Sequence, residues 1–83
     1  MKNWNDPTPR QLECLRAIAV YQDKENRPPT TRELATYLGV KSCSTPYSFL
    51  VRLGIKGYIK RDPKLSRTIV ILEAGRKALE EQP

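Results

Sequence analysis

Histidine is absent from this chain of 83 residues, cysteine occurs twice, and phenylalanine and tryptophan occur once each. Without histidine the side chain that most readily exchanges protons near neutral pH is missing. The sequence also offers no glycine-rich phosphate loop and no paired-carboxylate motif. An enzyme is therefore not expected, and no catalytic residue or cofactor is assigned. Cys14 and Cys43 lack metal-ligand spacing, so neither a metal site nor a structural disulfide is expected, and Cys14 reads as core filler. No apolar run approaches the length that spans a bilayer, and residues 1 to 6 lack the charged-then-apolar profile of a signal peptide. The expectation is a cytoplasmic protein with no membrane partner. One Phe and four Tyr give little aromatic surface for stacking single-stranded bases, which disfavours RNA.

Acidic residues are scarce in one particular place. Between positions 41 and 67, Lys41, Arg52, Lys56, Lys60, Arg61, Lys64 and Arg67 face Asp62 alone, so this stretch carries the whole formal charge of +6 and the remainder is neutral. A segregated positive patch concentrates polyanions and can release condensed counterions from DNA, whereas scattered lysines mainly keep a protein soluble. A chain this short buries only about 60% of the surface it exposes when unfolded, so one domain spanning 1–83 is expected, with a small core.

The stretch from Thr30 to Lys60 organises the rest. Thr30 followed by Glu33 makes a capping box, and Leu34, Ala35 and Leu38 then share one helical face. Gly39 can turn left-handed without a Cβ penalty and re-aims the chain. The next helix is placed from Thr45, with Pro46 at its first position, where a missing amide is harmless. Ser42 is the competing cap. Pro46, Phe49, Leu50 and Leu53 form the inward stripe, leaving Tyr47, Ser48, Val51, Arg52 and Ile55 outward.

Upstream, residues 1–7 form a polar lead-in whose Trp4 is given no function. Thr8, Pro9 and Gln11 make a second capping box, opening a helix to about residue 22 with Cys14, Leu15, Ile18 and Tyr21 inward. Downstream, residues 58 to 72 read as a hairpin: a short strand at 58–61, a turn opened by Asp62 and Pro63, a basic tip, and a strand at 68–72 too apolar to reveal its facing. Residues 73–83 read as a short helix and tail with only Ala74, Ala78 and Leu79 to bury. That narrow strip fits either the domain itself or a second copy, making the last helix the candidate for a weak homodimer. The fold class is mainly α with a small β-hairpin: three helices, a wing and a short C-terminal helix.

These residues resemble the amino-terminal DNA-binding domain of the LexA-type repressors, a winged helix-turn-helix, without gaps from Thr8 to Leu72. The resemblance is carried by Thr8, Pro9, Arg10 and Gln11; Pro28, Pro29 and Thr30; Glu33 with Ala35; Leu38 and Gly39; Ser42, Leu50 and Leu53; Lys56 and Gly57 with Ile59; and Ser66 and Arg67 before Ile69. The run Leu72, Glu73, Ala74, Gly75 and Arg76 is similar to the post-wing helix of MarR-type regulators. The family's self-cleaving carboxy-terminal domain, with its serine and lysine, has no counterpart in the sequence, so autoproteolysis is not expected. The family reads bases with a Ser, an Asn, an Ala and two Glu, which align with Ser42, Ser44, Thr45, Tyr47 and Ser48. Only the first is kept, so the resemblance does not carry the family's SOS operator over to this chain as its target.

The resemblance implies a regulator of transcription bound to double-stranded DNA, its third helix in the major groove and its wing along the backbone or minor groove. Ser42, Ser44, Thr45, Tyr47 and Ser48 are expected at base edges and Val51 at a thymine methyl. Lys41, Arg52, Lys56, Lys60, Arg61, Lys64 and Arg67 are expected at phosphates. The alternative is a protein-interaction module on the same scaffold, using the outward stripe of Tyr47, Val51 and Ile55.

Overall fold

The structure, a computed structural model, describes residues 8–62, 64–65 and 67–81. The lead-in with Trp4, Pro63 of the expected turn, Ser66 of the basic tip, and residues 82–83 lie outside the described residues. Helices α1 (Pro9–Glu25), α2 (Thr31–Leu38) and α3 (Ser44–Ile55) are followed by strands β1 (Ile59–Lys60) and β2 (Val70–Ile71) and by helix α4 (Glu73–Glu80). The architecture is the expected winged helix-turn-helix, three helices and a hairpin with a short last helix.

Both expected capping boxes form. The Thr8 hydroxyl accepts from the Gln11 amide at 3.2 Å while Gln11 Oε1 accepts from the Thr8 amide at 3.1 Å. Thr30 and Glu33 make the same exchange at 3.1 and 2.8 Å, satisfying donors that a helix start leaves orphaned. Helix α1 runs three residues past its expected end, because Asp23, Lys24 and Glu25 tolerate a helix and the stop waits for Asn26, which adopts the left-handed region at φ 59°. Gly39 ends α2 at φ 74°, with the Val40 amide reaching back to the Ala35 carbonyl.

The start of α3 differs from both caps considered. Cys43 occupies the cap position without a side-chain bond, Ser44 is the first helical residue and Pro46 the third. Pro46 still lies within the first turn, where no amide is needed; the first backbone bond runs from the Tyr47 amide to the Cys43 carbonyl. Ser42, one residue before the cap, accepts from the Ser44 amide at 3.1 Å.

The core lies where α1, α2, α3 and the hairpin meet. Cys14, Leu15, Ile18, Leu34, Leu50 and Leu53 are essentially inaccessible, joined by Ile59, Ile69 and Ile71. The strands pair antiparallel with Ile59 opposite Ile71 and Lys60 opposite Val70. The isoleucines face inward and Lys60 and Val70 outward, which settles the facing of the last strand. The ladder is shorter than the apolar run suggests, because side-chain bonds replace it toward the tip: Thr68 Oγ1 accepts from the Asp62 amide at 2.9 Å and donates to the Asp62 carbonyl at 3.1 Å.

Helix α4 packs on α1 and β2, with Ala78 and Leu79 against the domain's own core and Ala74 exposed. Gly75 is buried beneath the Tyr58 carbonyl, which also accepts from the Leu72 amide at 3.0 Å. Among the described residues no helix is long and apolar enough to cross a membrane.

Candidate nucleic-acid interface

The inward stripe of α3 decides what its other face presents. Pro46, Leu50 and Leu53 are buried, so Ser44, Tyr47, Ser48, Arg52 and Ile55 are exposed, with Thr45 and Val51 half-buried beside them. Ile55 is 72% exposed and Tyr47 49%, a large apolar presentation for a small domain. Lys41 and Ser42, in the turn from α2, are exposed at the entry to this face. The Ser42 and Ser44 hydroxyls lie 2.6 Å apart, holding each other in place in front of the helix.

The wing joins this face directly. The Arg61 guanidinium sits 5.0 Å from the centre of the Tyr47 ring, a cation–π contact between the hairpin and α3. Between α3 and β1 an open groove is lined by Val51, Gly54 and Ile55 on one side and Lys60 and Arg61 on the other. Lys60 and Lys64 are exposed, and the Lys64 amide donates to Asp62 Oδ1 at 2.9 Å, tightening the turn. Lys56 is half-buried, its ammonium 2.9 Å from Gln11 Oε1 at the start of α1.

Arg67 is placed differently from the other expected phosphate contacts. Its guanidinium grips Glu33 with two parallel bonds, Nη1 to Oε1 at 2.9 Å and Nη2 to Oε2 at 3.0 Å, and Nη1 also donates to the Pro28 carbonyl at 3.2 Å. Glu33 additionally accepts from the Tyr21 hydroxyl at 2.7 Å and has Arg27 within 3.9 Å. Hydrogen bonds from Arg67, then Tyr21, then the Thr30 amide hold the Glu33 carboxyl down at about 2, and Glu33 in turn raises the Arg67 pKa. Sequence reasoning assigned Glu33 only its capping role and missed this pair, since no local pattern links residues 34 positions apart. The Arg61 and Tyr47 contact escaped it for the same reason.

Among the described residues no group of three or more His, Cys, Asp or Glu side chains could hold a metal ion. Cys14 is buried, and burial, with a smaller contribution from Glu13, pushes its thiol up to about 12. What the surface offers instead is a helix face of hydroxyl and apolar groups flanked by cations.

A family model for the LexA DNA-binding domain matches residues 5–68. The chain belongs to that family. Among curated proteins, this LexA-type domain is 42% identical over 74 residues to the LexA repressor of Ligilactobacillus salivarius, covering 89% of this chain and 36% of that protein. It is 35% identical over 71 residues to the LexA repressor of Finegoldia magna, covering 86% and 34% respectively. For the LexA repressor of Anaeromyxobacter dehalogenans the figures are 42% over 72 residues, 87% and 32%. The chain thus spans about a third of the length of the curated relatives it matches. The family match ends at residue 68, ahead of α4, and does not bear on the MarR-like reading of that helix.

Proposed function

We propose that this LexA-type domain binds double-stranded DNA and represses transcription by occupying its site. The observation that carries the proposal is the continuity of one surface: the exposed face of α3 runs into Lys60 and Arg61 of the wing, with Arg61 seated on Tyr47. Helix α3 enters the major groove, with Ser42, Ser44, Thr45, Tyr47 and Ser48 toward base edges and Val51 toward thymine methyl groups. Lys41, Arg52, Lys60, Arg61 and Lys64 approach phosphates, and Lys56 does so while tethered to Gln11. No catalytic step belongs to this reading, and it places the protein in the compartment that holds the DNA.

Pairing of two copies would set two half-sites about one helical turn apart. Because Ala78 and Leu79 pack on their own core, α4 can contribute to such a pair only through its exposed residues. Selection of duplexes from a random pool at two salt concentrations tests the proposal. A defined sequence motif should survive at the higher salt, with affinity falling by about 0.9 log units per log unit of salt for each neutralised phosphate. Recovery of no motif at either salt would overturn it, and salt-insensitive capture of a protein through Tyr47, Val51 and Ile55 would favour an interaction module instead.

A further inference from the structure

We infer that Glu33 and Arg67 act as a pin that positions the wing for DNA, so that an acidic side chain supports binding to a polyanion and Arg67 is a positioning residue rather than a phosphate ligand. The inference rests on the DNA-binding reading above. Between its strands the wing has only a two-residue ladder, Ile59 with Ile71 and Lys60 with Val70, and so short a hairpin is marginal by itself. Its tip is closed locally by Asp62 and Thr68, but those bonds stay within the wing and do not fix its angle to the helices. The buried isoleucines and the Arg61 contact with Tyr47 hold the hairpin against the helices, and Arg67 adds a polar link from the tip itself to the body. It leaves the tip and reaches two points on the body, the Pro28 carbonyl before α2 and the Glu33 carboxylate in the first turn of α2.

Three further features agree. Arg67 holds φ 59°, a left-handed conformation that a non-glycine residue keeps when its surroundings over-determine it. The bidentate geometry suits a guanidinium and not an ammonium, since two parallel bonds fix orientation as well as distance. Glu33 is itself immobilised from three other directions, by the Thr30 amide, the Tyr21 hydroxyl and the nearby Arg27, so the anchor on the body is rigid. With Arg67 committed to Glu33, the exposed cations left to meet phosphate on the described part of the wing are Lys60 and Lys64, with Arg61 half-buried on Tyr47.

The sign of one substitution separates this from simple charge attraction. Glu33→Gln preserves the capping box, because glutamine already fills the same role at Gln11, and it removes one negative charge. Charge attraction alone predicts tighter DNA binding for that variant. The pin predicts weaker binding, by roughly three- to tenfold, the scale of coupling between contacting residues. Arg67→Met should weaken binding by a similar factor while leaving the slope of log affinity against log salt unchanged, and the double variant should be no weaker than either single one. Kd for a selected duplex, measured across a salt series with each variant's melting curve alongside, reads all three. Tighter binding by Glu33→Gln, additive losses in the double variant, or a slope flattened by about 0.9 in Arg67→Met overturns the inference. Backbone NMR relaxation of the Leu65 and Thr68 amides in free protein reads the pin separately. Those amides should gain amplitude of motion in Glu33→Gln, and unchanged relaxation overturns the pin even where the wild-type chain binds no DNA.

Discussion

Replacing Gly75 by alanine sets two physical effects against each other, and the structure decides the sign. Helix propensity alone favours alanine by about 1 kcal/mol, so a reading of α4 as an isolated helix predicts a more stable protein. In the fold, however, a Cβ at position 75 would overlap the Tyr58 carbonyl oxygen and lie 2.9 Å from Ile71 Cγ2. The carbonyl is backbone and already accepts from the Leu72 amide at 3.0 Å, so no rotamer change relieves the overlap and α4 must lift from the root of the wing. Overpacking of this kind costs about 1–3 kcal/mol, and with a backbone obstacle the upper half of that range applies. After subtracting the propensity gain, the net loss is about 1–2 kcal/mol, equivalent to a fall in Tm of roughly 5–15 °C for a domain of this size. Thermal melting followed by circular dichroism is the assay. The exposed neighbour provides the control: Ala74→Gly should lose only the propensity difference, about 1 kcal/mol or less. A Gly75→Ala protein that melts at or above the wild-type temperature would refute the close packing of α4 on the hairpin.

Replacing Lys60, Arg61 and Lys64 together by alanine should weaken binding to every duplex alike and flatten the salt slope by up to about 2.7, with little change in melting. Exchanging thymine for uracil within a selected site should reduce affinity roughly fourfold per contacted methyl, and that discrimination should vanish in Val51→Ala; competition binding measures both. Glu33, faced by Arg67, Tyr21 and Arg27, has its folded pKa lowered from 4.5 to about 2, so its stabilising contribution is complete above about pH 4.5 and is lost as pH falls through 2. Denaturant melts over that acid range should therefore lose stability more steeply for the wild type than for Glu33→Gln. A thiol reagent should titrate one cysteine in native protein, the exposed Cys43, and the second only after denaturation, because Cys14 is inaccessible and its thiol is held up at about 12.

The parts of the fold that the sequence revealed are those controlled by near neighbours. Two capping boxes, Gly39 and the spacing of Leu50 and Leu53 each depend on contacts within a few residues, and each formed as expected. The start of α3 was misplaced by one residue because any position of Pro46 in the first turn satisfies the same local rule. The end of α1 was missed because polar composition does not stop a helix; a left-handed residue does, and Asn26 supplies it. The strand at 68–72 was recognisable but not its facing, since four consecutive apolar side chains carry no alternation; pairing with Ile59 determines it. At the candidate interface, the exposed face of α3 followed from periodicity. The Arg67 to Glu33 pair did not, as it depends on where the wing folds back, and position-by-position charge counting treats every cation in the patch as free to meet a phosphate.

On the proposed reading, the outward face of α3 and the adjoining wing form one DNA-reading surface. Backbone chemical-shift mapping by NMR, with a selected duplex titrated into labelled full chain, tests it most directly. The amides of residues 41–45, Tyr47, Ser48, Val51, Arg52, Lys60, Arg61 and Lys64 should shift together and saturate at one duplex site, while those of the outer faces of α1 and α4 stay in place. Shifts centred on α1 or α4, or none along α3 under conditions where DNA is bound, would contradict the account.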